Sequence, residues 1–376
     1  MKQDNNLRNN LKSIRTRLGM SQQDLANIAG VTRQTISGVE SGQYAPSVAI
    51  TLRLAKALGC QVEDLFWLDE DLPEIEAVLA KSVPSNQQVR FSLARVGGQW
   101  IAYPLIGKDA FRTEMIPADG EGNSQLGTGK VQVRLLDEMD KLHNTVVIAG
   151  CAPVISLWGR AAERWHPQLR VQFNFANSMA ALHSLCRGEV HIAGMHLYDP
   201  QTGEHNTPFV RDVLSGRAAV LITLGMWEEG LLVQSGNPLG IKTLTDLVET
   251  GGTIVNRELG SGSRMVLEQT LEQEDIPFDS IKGFDRIVQS HQDVALAVVS
   301  GMADAGISTA SVAATHGLEF IPLRSSRYDL VILKEYLEEP PVQQLLGTLG
   351  HRLVHSQLEI LGGYDTSKIG EVVATI

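Results

Sequence analysis

Residues 20–47 read MSQQDLANIAGVTRQTISGVESGQYAPS, and this stretch decides the fold of the N-terminal part of the chain. Ser21, followed three residues later by Asp24, has the form of a helix N-cap with an acidic residue in the first turn. Leu25, Ile28 and Ala29 then supply a buried stripe that ends at Gly30. After a tight Gly30-Val31 turn, Thr32 caps a further helix through Ile36, Val39 and Glu40 to Ser41-Gly42, giving a helix-turn-helix pair. The outward positions of its second helix are Arg33, Gln34 and Ser37. Upstream, Leu7, Leu11, Ile14 and Leu18 recur at helical spacing before Gly19 and predict a first helix. Downstream, Pro46 breaks the chain, Ile50, Leu54 and Leu58 mark a fourth helix, and Val62 to Phe66 closes the bundle.

Charge singles out the same segment. The whole chain of 376 residues carries a net charge of −11, which by itself argues against a partner made of phosphates. Residues 1–60, however, hold eight basic residues against three acidic ones, a balance of +5 that leaves −16 for the rest. Only the N-terminal segment suits a phosphate backbone. The length predicts two or three units with separate cores. A hydrophobic share of 43% with 20% charged residues is that of an ordinary globular protein. The opening MKQDNNLRNN lacks the apolar run of a signal peptide, and no stretch is apolar for long enough to cross a bilayer, so a cytoplasmic address is expected. Cys60, Cys151 and Cys186 are far apart and form no C-x-x-C pair, which predicts neither a disulfide framework nor a structural zinc site.

Over Leu7 to Phe66 the sequence resembles the phage-repressor-like (XRE-type) helix-turn-helix family, through Ser-Gln-Gln-Asp-Leu-Ala, the Gly-Val turn, Thr-Arg-Gln-Thr-Ile-Ser and Glu-Ser-Gly with a later Pro. The resemblance implies that the helix from Thr32 enters the major groove of an operator. Arg33 would then read guanine and Gln34 adenine, while Gln22 and Thr32 would hold phosphates. Gly38 stands where some members carry a base-reading side chain. A dimer is expected, because one such module reads too few bases.

The next segment, 69–143, reads as an acidic linker (DEDLPEIE) and a small β-rich adaptor. Val89 to Leu105 alternates around Gly97-Gly98 as a β-hairpin does. Ala118 to Lys130 reads as a flexible Gly-rich loop without a phosphate-loop register.

From 144 to 376, β-branched runs such as Val146–Ala149 and Val171–Phe175 alternate with amphipathic helices, which predicts an α/β domain with a mainly parallel sheet. Ligands in such folds sit at the carboxyl ends of strands, where helix N-termini favour anions. The segments Leu185–Gly194 and Val298–Gly306 echo each other as helix end, Gly cap and buried strand, and predict two related lobes.

Four motifs sharpen this: TVVIAGCAP, GEVHIAGMHLYD, the loop Asn256 to Arg264, and SHQDVALAVVSGMADAG with FIPLRSSRYDLVI. Through them, Asn144 to Val373 resembles the periplasmic molybdate-binding-protein-like (type II) domain. Molybdate or tungstate is therefore the implied effector, with no prosthetic group and no metal. The turn Gly260-Ser261-Gly262-Ser263 can aim several N–H groups and two hydroxyls at one oxyanion, with Arg257 or Arg264 offsetting its charge. The alternative, a helix cap that happens to contain two glycines, leaves those glycines unexplained. Cys151, Ser178, His196 and Ser290 with His291 are further pocket candidates, although Cys151 and Ser178 can equally be strand ends. The histidines show no zinc-motif spacing, and Asp304 reads as a hinge or strand-start residue.

The expectation is thus a multidomain chain: an all-α helix-turn-helix bundle over 1–68, a connector over 69–143 and a two-lobed α/β binding domain over 144–376. Its expected role is that of a non-enzymatic, homodimeric regulator that binds double-stranded operator DNA and senses an oxyanion. The competing reading is an intracellular oxyanion carrier or store whose DNA binding serves autoregulation. No nucleophile and base stand at a recognised catalytic spacing.

Overall fold

The computed structural model describes residues 7–68, 73–84, 87–111, 115–124, 129–137 and 139–376. The chain divides into two compact units, Met1–Pro73 and Glu74–Ile376.

The first unit is a helical bundle of α1 (Leu11–Arg17), α2 (Gln22–Ala29), α3 (Arg33–Glu40), α4 (Val48–Leu58) and α5 (Val62–Leu65). Its caps are those the sequence announces. Ser21 Oγ accepts from the Asp24 N–H at 3.1 Å while Asp24 accepts from the Ser21 N–H at 2.9 Å, and Thr32 Oγ1 accepts from Thr35 N–H at 3.1 Å. Each such cap satisfies a donor that the first helical turn leaves open. Leu11, Leu25, Ile36, Leu54 and Leu65 fill the core. Two expectations fail: Ile28, read as part of the buried stripe, is 58% exposed, its place inside being taken by Ala26, and Leu7 is not in the first helix. Leu7–Asn9 is a strand paired antiparallel with Phe66–Leu68, Leu7 opposite Leu68, so its apolar spacing marks a tie between the two ends of the bundle.

The second unit begins with a closed barrel of five strands, Glu74–Leu79, Gln88–Val96, Gln99–Pro104, Gly120–Ser124 and Lys130–Leu135. Among the described residues, Glu74 to Glu76 of the expected linker and Gly120–Ser124 with Lys130 of the expected flexible loop are thus strand. Glu74–Leu79 pairs with Lys130–Leu135, and Gly120–Ser124 pairs with the same strand from its other side. Residues 69–72, 85–86 and 125–128 of those expectations lie outside the described residues. The glycines meant close strand approach rather than mobility: a Cβ at Gly122 would stand 2.2 Å from the Gln132 carbonyl oxygen.

A ten-stranded sheet follows. Thr145–Gly150, Arg170–Phe175 and Ile192–Met195 run parallel in one lobe, and Ile254–Arg257, Ile287–Val288 and Ala305–Thr309 run parallel in the other. The sheet is mixed rather than mainly parallel, because two 15-residue strands, Ala219–Val233 and Glu319–Leu333, cross between the lobes antiparallel to each other. Their Leu221 and Leu330 enter the core of the first lobe, while Leu231 and Leu232 enter those of the second. Both halves of the sequence echo are present as a helix, a positive-φ glycine (Gly188, Gly301) and a buried strand.

Within this unit the barrel is keyed to the first lobe. Arg170 donates to Asp119 through Nη1 at 2.5 Å and Nη2 at 2.7 Å, and to the Leu93 carbonyl at 2.7 Å. Among the described residues no helix is long and apolar enough to cross a membrane.

Candidate functional site

Helix α3 presents Arg33, Gln34 and Ser37 to solvent and turns Ile36 and Val39 inward. The surface offered is therefore polar and carries long donors, as base-edge reading requires. Thr32, also exposed, spends its hydroxyl on the cap and on Thr35 Oγ1, 2.9 Å away. Gln22 is half-buried and its amide donates to Glu40 Oε2 at 2.7 Å. Glu40 in turn pairs with Arg15, so the charge that Arg15 contributed to the basic balance is neutralised inside the bundle.

In the α/β unit the expected pocket residues separate into two groups. Cys151 follows the strand Thr145–Gly150, His196 follows Ile192–Met195, and Ser178 opens the helix Ser178–Cys186; all three are buried and connected. Cys151 Sγ lies 3.2 Å from His196 Nε2, and the His196 N–H donates to Ser178 Oγ at 3.2 Å. His196 Nδ1 lies 3.1 Å from Glu229 Oε2, and Ser263 Oγ donates to Glu229 Oε1 at 2.8 Å. His291, at the start of the helix His291–Val299, has Nδ1 3.2 Å from Ser308 Oγ. Arg257 is buried at the end of its strand, with Nε and Nη2 on Glu258 and Nη2 also on the Gln289 carbonyl.

The remaining candidates have other partners or pack against the first group. Arg264 gives Nε to Glu268 at 2.7 Å and Nη1 to the Arg257 carbonyl at 3.2 Å, with its guanidinium 5.2 Å from the Phe284 ring. Ser290 caps its helix by accepting from Asp293 N–H at 2.9 Å. Ser261 is the N-cap residue of the helix Gly262–Gln273 without a side-chain cap bond, and Gly260, at φ +85°, accepts from Met179 N–H through its carbonyl. Gly262 serves His196: a Cβ there would lie 2.3 Å from the His196 carbonyl oxygen and 2.4 Å from its Nδ1. Gly262 thus has a packing role that the sequence reading did not assign to it. Asp304 accepts from the Thr253 N–H and hydroxyl, a strand-start role.

Sequence reasoning missed Glu229, Trp227 and Tyr328. Trp227 packs edge-on to His196 at 4.7 Å and to Tyr328 at 4.9 Å between ring centroids. The signal was a pair of adjacent carboxylates, Glu228 and Glu229, at the centre of the otherwise apolar run GMWEEGLLV, of which strand alternation must turn one inward. Glu229 also marks a register shift between the crossing strands, at Glu229/Gly230; such bulges re-aim side chains.

Electrostatics follow from burial. Loss of water disfavours the His196 imidazolium, but the Glu229 carboxylate and Cys151 outweigh that and hold its pKa up at about 10. Burial likewise opposes ionisation of Glu229, and His196 reverses this to about 2. His291, buried and facing the charges of Arg257 and His196, is held well below the ordinary histidine range. Trp227 Nε1, Arg257 Nη1, His291 Nε2 and Tyr328 Oη are buried without a hydrogen-bond partner among the described residues. Buried polar atoms are rarely left so. The cluster thus holds unmet donor capacity around a neutralised His–Glu pair.

Comparison with known proteins matches residues 159–350 to a PBP superfamily domain and residues 11–65 to a helix-turn-helix family. A Bacillus subtilis protein, "Uncharacterized protein YvgK", is 35% identical over 199 residues, 53% of this chain; the chain spans 64% of that relative's length, less than two thirds. The "Uncharacterized HTH-type transcriptional regulator YgzD" of the same organism is 43% identical over 65 residues, 17% of this chain and 98% of the relative. Among solved structures, a putative phosphate transporter substrate-binding protein with bound phosphate from Clostridium perfringens aligns with a TM-score of 0.45 and 14% identity, over 59% of this chain and 98% of that one.

Proposed function

Since the chain belongs to the PBP superfamily over residues 159–350 and to the helix-turn-helix family over residues 11–65, we infer that it is a transcription regulator whose operator affinity responds to a small oxyanion, molybdate or tungstate. The observation that carries the anion reading is the set of buried donors without acceptors, Trp227 Nε1, Arg257 Nη1 and Tyr328 Oη, beside His291. A tetrahedral oxyanion accepts from several such groups at once, Arg257 contributing through Nη1, the nitrogen not engaged with Glu258 or the Gln289 carbonyl. Glu229 does not repel it, because His196, Ser263 and Ser326 already occupy that carboxylate.

In this reading the regulator works in the cytoplasm as a homodimer. Arg33, Gln34 and Ser37 of each protomer face base edges, and Gln22 and Thr32 approach phosphates. Anion binding between the lobes favours one lobe arrangement, and operator affinity changes with it.

The test is a gel-shift titration of full-length protein on its operator with molybdate, tungstate, sulfate and phosphate added separately. Molybdate or tungstate should move the midpoint at concentrations where sulfate does not. If none of the four moves it, the oxyanion reading fails; if all four act alike, molybdate specificity fails.

A further inference from the structure

The two histidines of the buried cluster are both held at Nδ1. His196 Nδ1 meets Glu229 and His291 Nδ1 meets Ser308. That arrangement fixes ring orientation and leaves each Nε2 for another partner. His196 Nε2 faces Cys151 Sγ at 3.2 Å, whereas His291 Nε2 has no partner among the described residues, although the ring is buried. One ligand atom from each of Cys151, His196 and His291 lies within 4.8 Å of the others.

We propose that Cys151, His196 and His291 bind a thiolate-preferring transition-metal ion of the Zn2+ class, as a three-ligand site with one position open. In a tetrahedral zinc site, sulfur and nitrogen ligands at about 2.3 and 2.0–2.1 Å from the metal stand roughly 3.5 Å apart. The observed Cys151–His196 separation needs only a small widening to admit the ion. A ligating histidine usually gives its far nitrogen to an acceptor such as a carboxylate, a carbonyl or a water; here the Glu229 carboxylate holds that place on His196, and the Ser308 hydroxyl oxygen holds it on His291. Softness of the thiolate and the imidazole pair favour zinc or copper over magnesium or calcium. On binding, the Cys151 thiol proton and the proton on His196 Nε2 leave to solvent, and the ion takes their place.

The chain Cys151–His196–Glu229 also has the order of nucleophile, base and orienting acid. That arrangement assigns nothing to His291, and the thiol is only 3% exposed. The metal reading uses all four groups. It goes beyond the oxyanion reading and is independent of it, although the open metal position stands in the same cluster as Trp227 and Tyr328.

Full-length protein stripped with a chelator and titrated with Co2+, a spectroscopic stand-in for Zn2+, tests the assignment. Four-coordinate d–d absorption and a thiolate-to-cobalt charge-transfer band are expected. The band should vanish in Cys151→Ser, and Ser308→Ala should weaken Zn2+ binding by about 10- to 100-fold. Co2+ that keeps its weak six-coordinate spectrum, or a band that survives Cys151→Ser, overturns the proposal. If circular dichroism shows that Cys151→Ser does not fold, His291→Gln takes its place: loss of the four-coordinate spectrum supports the site and retention refutes it. Molybdate calorimetry on stripped and Zn2+-loaded protein separates the two readings. Metal bound without anion sinks only the oxyanion, and anion bound without metal sinks only this site.

Discussion

Arg15 and Glu40 close a buried ion pair between α1 and α3, Nε to Oε1 at 2.5 Å and Nη2 to Oε2 at 3.2 Å, with Gln22 of α2 donating to the same carboxylate. Arg15 also donates to the Met20 carbonyl at 2.6 Å. Three helices of the DNA-binding unit are thereby fixed by one network. Removing a single partner strands a buried charge, so Arg15→Ala should destabilise the bundle by about 3–5 kcal/mol. Urea unfolding followed by circular dichroism measures it; a loss below about 1 kcal/mol contradicts the network's importance.

Recognition should depend on α3 and not on the buried cluster. Arg33→Ala should weaken operator binding by about 1–3 kcal/mol and relax base preference at one position. Calorimetry with molybdate should give the same affinity as for the parent protein. A change in anion affinity without one in DNA affinity would reverse the assignment.

Tyr328→Phe separates stability from binding. The buried Tyr328 hydroxyl has no acceptor for its proton among the described residues, although the Cys151 and Ala152 backbone N–H groups approach its oxygen, so its loss should leave the melting temperature close to that of the parent. Oxyanion binding should weaken by about 0.5–1.5 kcal/mol, the worth of one hydrogen bond. A lower melting temperature with unchanged anion affinity would count against Tyr328 as a ligand donor.

Gly262→Ala places a methyl group on His196. Overpacking of this kind costs about 1–3 kcal/mol, and here it should also push the imidazole off Glu229 and Cys151. Thermal unfolding together with the Co2+ titration checks both effects. Intact affinity with intact stability would mean that the helix start shifts freely.

Stability against pH should fall on both sides, with different groups responsible. Burial, then the nearby Arg327 and Arg324, hold His205 down at about 4, below its ordinary 6.5. Between those values the unfolded chain takes up a proton that the folded chain refuses, so stability is lost as pH falls from about 6.5 to 4. Acting in the other direction, His196 is raised: its contribution is complete below 6.5 and is lost as pH rises through about 10. Glu229 is depressed, so its contribution is complete above 4.5 and is lost as pH falls through about 2. Melting temperatures from pH 4 to 10 should trace this shape, and His205→Gln should flatten the slope between 6.5 and 4.

What could be read in the sequence was local. Ser21 with Asp24, Thr32 and the outward Arg33 and Gln34 follow from helix period and capping, and all lie within 14 residues. The hairpin at Gly97-Gly98, the strand at Val146–Ala149 and the echoed glycines are local in the same sense. The pocket is not. His196, Glu229 and His291 come from three separate elements, and no spacing rule joins residues 33 or 62 positions apart. The Gly260–Arg264 turn was only partly legible because a glycine admits two explanations: Gly262 also clears space for a residue that follows a distant strand. Leu7 misled because a helical spacing of apolar residues also suits a short strand packed on the bundle.

The ladder between the two long strands is interrupted twice, by register shifts at Thr223/Gly225 and at Glu229/Gly230. A paired ribbon resists bending, and an irregularity in its pairing is where a change of angle meets least opposition. The carboxylate that steadies His196 therefore stands beside one of the two irregularities in the ribbon that joins the lobes.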